Sequence, residues 1–127
     1  MSPKRADPDV LFERLRRIVA ALPEAEAART HGHGAFSVRG KKFGYYLVDH
    51  HGDGVIGISV RAAPGEQERL IATDPARFYR PAYSGAHGWV GLRLDTPRVD
   101  WGEAERLLVD AYQLAAPRRL AAQFAAR

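Results

Sequence analysis

The sequence predicts an α+β fold in two layers, a mainly antiparallel β-sheet with helices packed on one face. Three observations carry this expectation. Apolar residues recur at helical spacing near both ends of the chain. Through the middle they alternate with polar residues at period two. Turns rich in glycine and proline separate the alternating runs, so the order reads helix, strands, short helix, strands, helices.

Asp7 can cap the first helix, and Pro8 suits its first position, where no backbone donor is missed. Leu11, Leu15, Ile18 and Leu22 then form one apolar stripe, which Phe12 and Val19 widen. Leu22-Pro23 ends it. A short strand is expected through Ala25 to Thr30, and a hairpin after it. Phe36 and Val38, then Phe43, Tyr45 and Leu47, alternate with polar neighbours as in a half-buried sheet. Gly40-Lys41 is the expected turn, because glycine at the first central position suits a tight hairpin. That register sets Val38 opposite Phe43 and Phe36 opposite Tyr45.

Asp49-His50-His51-Gly52-Asp53-Gly54 reads as a second turn and Val55 to Val60 as the next strand. Pro64-Gly65 opens a short helix through Glu66 to Thr73, with Leu70 and Ile71 facing inward. Asp74-Pro75 starts a brief turn holding Phe78 and Tyr79, and Tyr83 to Gly88 is a loop or second hairpin. Val90, Leu92 and Leu94 alternate into the last strand. Asp100-Trp101-Gly102-Glu103 has the form of a capping box. Ala104, Leu107, Leu108, Ala111 and Ala115 then supply the stripe of the longest helix. Pro117 interrupts it and starts a final helix carrying Leu120 and Phe124.

At 127 residues the chain has the length of one domain, and residues 1–127 are read as one. Hydrophobic residues at 46% and charged residues at 27% exclude a disordered chain. Without cysteine there is no disulfide framework, thiolate nucleophile or thiolate metal site. The opening stretch to Pro8 lacks the apolar segment of a secretory leader, and no run approaches the ~18 apolar residues of a membrane span. A cytoplasmic location and no membrane partner are therefore expected. Catalysis is not: Ser37, Ser59 and Ser84 lack a nucleophile elbow, and no phosphate loop or dinucleotide fingerprint is present. Asp100 and Glu103 read as caps rather than paired acids, and no cofactor is implied.

The net charge of +4 permits an acidic partner. Acids drop out of three stretches: residues 37–48 with Arg39, Lys41 and Lys42, residues 75–94 with Arg77, Arg80 and Arg93, and the tail from Ala111 with Arg118, Arg119 and Arg127.

Phe36-Ser37-Val38-Arg39-Gly40-Lys41-Lys42-Phe43, Asp74-Pro75-Ala76-Arg77-Phe78-Tyr79, Pro81-Ala82-Tyr83, Gly88-Trp89-Val90 and Ala111-Tyr112, in this order, resemble the MmcQ/YjbR family. The resemblance runs from the first helix to Pro117. It implies a fold like that of the bacterial frataxin relatives. Members of the family are commonly labelled DNA-binding, with a double-wing arrangement of β-hairpins. It transfers no catalytic residues. Frataxins are thought to bind iron through an acidic ridge beginning on the first helix. Here Arg14, Arg16 and Arg17 stand against Asp9 and Glu13, which disfavours an iron role.

A DNA-binding or regulatory role is therefore expected, with Arg39, Lys41 and Lys42 at the hairpin tip placed to neutralise phosphates, and Arg77 and Arg80 as further contacts. The alternative is a small-molecule or metal-binding domain. Residues 78–89 interleave aromatics with arginine, which suits base stacking or a pocket lining. The hairpin register also places His31 across from His50, with His33, His51, Asp49 and Asp53 nearby. Cβ atoms so opposed lie about 5 Å apart, close enough to share a metal. Imidazole and carboxylate suit zinc, nickel or iron(II).

Overall fold

Helix α1 (Pro8–Ala20) starts where expected in the computed structural model, which describes residues 7–125 apart from the side chains of His51 and Ala125. The opening segment read against a secretory leader, residues 1–6, and Arg127 lie outside the described residues. Asp7 accepts from the Asp9 N–H at 2.8 Å and caps the helix. Leu11, Phe12, Leu15 and Val19 are its buried face.

Six strands form one sheet in the order β1-β2-β3-β4-β6-β5, each pair antiparallel. They are β1 (Ala25–Thr30), β2 (His33–Val38), β3 (Lys41–Val48), β4 (Ile56–Val60), β5 (Phe78–Tyr79) and β6 (Val90–Arg93). Between them lies α2 (Glu66–Thr73); α3 (Trp101–Ala115) and α4 (Arg118–Ala125) follow. Phe36, Val38, Phe43, Tyr46, Ile58, Val60, Val90 and Leu92 fill one face of the sheet, against α1 and α3. The architecture is the expected α+β one. No helix among the described residues is long and apolar enough to cross a membrane.

The first hairpin turns are two of a kind. His31 and Gly32 join β1 to β2 with φ of 52° and 84°, and Arg39 and Gly40 join β2 to β3 with φ of 51° and 79°. Positive φ at both central residues is the type I′ pattern, whose twist matches that of the strands. The turn is thus Arg39-Gly40, not Gly40-Lys41, and Val38 faces Lys41 rather than Phe43. Glycine serves as the second central residue.

That shift is absorbed by a bulge. Ser37 pairs with Lys42 but Phe36 pairs with Gly44, leaving Phe43 as an extra residue. Beyond it every side chain of β3 changes face. Tyr46 turns inward, packing on Phe12 at 5.6 Å between ring centroids, and its hydroxyl donates to the Pro8 carbonyl at 2.7 Å. Tyr45 and Leu47, expected inside with Phe43, stand on the outer face instead. Phe43 stays buried against Tyr112 of α3, whose hydroxyl donates to the Pro23 carbonyl at 2.7 Å. The two buried tyrosines therefore tie the sheet and α3 to opposite ends of α1.

Two further expectations change. Phe78 and Tyr79 are not a turn but a strand, paired to Leu92 and Gly91. Asp100 caps α3 by accepting from the Glu103 N–H at 3.0 Å, yet the Glu103 carboxylate reaches Arg77 rather than completing the box.

Asp95, just past β6, accepts from Arg93 at 3.0 and 3.1 Å and from the Ile56 N–H at 3.4 Å. Burial by itself raises its carboxyl, but the Arg93 hydrogen bond and charge outweigh that and hold it below its ordinary value. Its contribution is present above the unfolded value of about 3.9 and is lost as pH falls through the lowered folded value. Asp95→Asn is expected to flatten the decline in stability below about pH 4, read from urea melts across the acid range.

Candidate nucleic-acid interface

The outer face of the sheet carries an unusual row. Ala28, Ala35, Tyr45, Ser59, Gly91 and Tyr79 lie directly opposite one another across β1, β2, β3, β4, β6 and β5. Small residues in this row leave room above β4 and β6. The Tyr79 ring fills part of it, lying over Gly91 and Gly57. Burial, with the charges of Asp53 and Asp95, pushes its phenol up to about 12.

The rest of the room is taken by residues 80–89. Ser84 Oγ lies 2.9 Å from Ser59 Oγ, docking the loop on β4. Gln67 of α2 is buried, and its amide donates to the carbonyls of Gly85 at 2.8 Å and Trp89 at 2.6 Å. Trp89 is buried too, stacked on Tyr45 at 5.6 Å with the Arg61 guanidinium 5.1 Å from its ring centroid. Trp89 is therefore packing rather than an open stacking platform. Phe78 is core. Tyr83 alone of the loop aromatics stands well out, 75% exposed.

At the hairpin end of the sheet, basic side chains from distant parts of the chain meet. Arg61, directly after β4, donates from Nε to the Lys42 carbonyl at 2.7 Å. Its neighbour Val60 pairs with Gly44 and Val90, which places Arg61 on the outer face beside Lys42 and Trp89, while Lys41, opposite the buried Val38, points to the other face. Arg80 is exposed and follows Tyr79 toward the same end. Among the described residues no carboxylate pairs with Lys41, Lys42, Arg61 or Arg80.

Arg39 differs. Its guanidinium holds Glu24 at 2.9 and 3.1 Å. That hydrogen bond, with the charges of Arg39 and of Arg119 on α4, lowers the Glu24 carboxyl below its usual range. Arg119 thus belongs to this end as well. Arg77 sits at the other end of the sheet, bonded to Asp74 at 2.6 Å and to Glu103. Both carboxylates raise the guanidinium further. It is a clamp between the β5 approach and α3, and its charge is already answered.

The histidines do not meet as the expected register required. The β2–β3 ladder ends at Gly34 and Tyr46, and His31 occupies the first hairpin turn. His33, not His31, faces His50, at 5.5 Å between ring centroids, and its Nδ1 accepts from the Val48 N–H at 3.1 Å. Asp49 and Asp53 accept from the N–H groups of Gly54 and Val55, at 2.6 and 2.9 Å, shaping the turn. Among the described residues no three His, Asp or Glu side chains gather to hold a metal; the side chain of His51 lies outside them.

A cleft of about 400 Å³ opens between α2 and α3, lined by Arg61, Leu70, Leu107, Asp110 and Leu114 and by none of residues 78–89. Sequence reasoning missed Arg61, Gln67 and the role of Tyr45. Continuing the β3–β4 pairing past Val60 would have found Arg61 beside Lys42. Nothing local marks Gln67.

The family model for YjbR matches residues 20–114. The crystal structure of Deinococcus radiodurans protein DR2400, a DUF419 domain, is similar in fold, with a TM-score of 0.66 and 20% identity over 81% of this chain and 76% of that one. No curated protein matches.

Proposed function

The chain belongs to the YjbR family, and we propose that it is a DNA-binding module without catalytic activity, gripping phosphates at the hairpin end of its sheet. The observation that carries this reading is the approach of Arg61 to Lys42 on the outer face, with Lys41 next to them at the hairpin edge, three cations without carboxylate partners among the described residues. Cations left unpaired beside one another repel, and phosphates relieve that repulsion while releasing counterions. Arg80 extends the surface along the β5 side. Arg39 adds less, because Glu24 already neutralises it, and Arg77 stands outside the surface. The Ser59 and Ser84 hydroxyls bond to each other rather than to a base, which disfavours either as a nucleophile.

Replacing Lys41, Lys42 and Arg61 together by alanine is expected to weaken duplex and single-stranded DNA alike. It should also flatten the salt dependence of duplex binding by about 0.9 in log–log slope for each phosphate no longer neutralised. Fluorescence anisotropy from low to near-physiological salt reads both quantities. Unchanged affinity and slope would remove this surface from the interaction.

A further inference from the structure

Resting on that reading, we propose that residues 80–89 form a rigid stacking arm with Tyr83 at its tip, and that the DNA bound is single-stranded rather than duplex. Tyr83 has φ 63° and ψ −66°, and the Ser84 N–H reaches back to the Ala82 carbonyl at 2.7 Å. This is a γ-turn of the rare, strained kind, and a side chain makes it worse. Burial of the ring does not explain the strain, since Tyr83 is 75% exposed.

The anchors on either side impose the conformation. Pro81 is buried and its carbonyl accepts from the Gly85 N–H at 2.9 Å. Ser84 is docked on Ser59, and Gln67 pins Gly85 and Trp89. Gly85 has no room for a side chain, since a Cβ there would meet Arg80 Cγ at 2.6 Å. The loop is held at several points, and the strain falls on the residue that holds its ring out. Strain kept in place by its surroundings is characteristic of binding sites.

The ring stands at one end of a line of aromatic side chains, with His50 at 6.5 Å and His33 at 5.5 Å beyond it. Toward the other end, Ser59 beneath Ser84 lies two residues from Arg61, about 7 Å along the strand. A base can lie on Tyr83 only if the base has an open face. In a duplex both faces are occupied by neighbouring pairs; in a single strand they are available.

Anisotropy with a labelled oligothymidylate and with a duplex of the same length tests this, on the parent, Tyr83→Gly and Tyr83→Phe. The single strand is expected to bind more tightly than the duplex. Tyr83→Gly is expected to weaken it on the order of ten-fold, and Tyr83→Phe to leave it near the parent. Glycine tolerates positive φ, so Tyr83→Gly should keep or raise the melting temperature, separating lost stacking from lost fold. Tighter duplex binding, or single-strand affinity indifferent to Tyr83→Gly, overturns this inference and leaves the DNA reading standing. Saturable binding of neither DNA overturns both.

Discussion

Gln67→Leu is expected to destabilise the protein by about 1–3 kcal/mol, because it removes the side-chain donor from the buried Trp89 carbonyl and leaves the Gly85 carbonyl only the Gly88 N–H. The side chain is 4% exposed and its amide serves Gly85 and Trp89, residues that open and close the last turn of the loop. Leucine fills a similar volume, so the loss reports hydrogen bonding rather than a cavity. The melting temperature should fall on the order of ten degrees, and amide exchange should accelerate first in residues 80–89. Gln67→Glu should be worse at neutral pH, where a carboxylate would face two carbonyl oxygens, and should recover on acidification. A leucine variant melting with the parent would show that the loop is held from elsewhere.

Gly91→Ala should cost about 1–3 kcal/mol as an overpacking change. A Cβ at Gly91 would lie within 2.6 Å of three Tyr79 ring carbons. To clear the new methyl the ring has to lift off the sheet, giving up its place over Gly57 as well. It must swing out to solvent. The phenol, held at about 12 chiefly by burial, should then titrate near the ordinary value of about 10. Ultraviolet titration of the tyrosines reads that shift directly. A folded alanine variant that keeps its high-titrating tyrosine would mean the sheet yields instead of the ring. In the parent, ionisation of Tyr79 also limits alkaline stability. Its contribution is intact below the unfolded value and is lost as pH rises through the folded one.

Most of the helical layer was legible because its signals are local. Asp7-Pro8 and Asp100 are caps that act within a turn, and Leu11, Leu15 and Val19 share a face by spacing alone. The strands of the meander were also visible as alternation. Their register was not, since the bulge at Phe43 answers to Phe12 and Tyr112, residues far along the chain that only packing brings near. Phe78 and Tyr79 become a strand because Gly91 and Gly57 leave space for a ring, a condition set on other strands. The candidate site was blurred for a similar reason. Stretches without acids in sequence are not without acids in space: Arg39 finds Glu24 and Arg77 finds Glu103. Arg61, flanked by apolar residues, carried no charge-cluster signal, yet it completes the basic end.

Strand order has a further meaning for a chain made from its N-terminus. Each of β2, β3 and β4 can zip onto the strand before it as it emerges, but β5 has no neighbour until β6 slots between it and β4. Helix α3, which covers Phe43 through Tyr112, comes later still. A ribosome therefore releases a sheet whose oily side stays open until residues 101–115 have followed it. Early termination before residue 101 leaves a sticky fragment, not a smaller version of the protein.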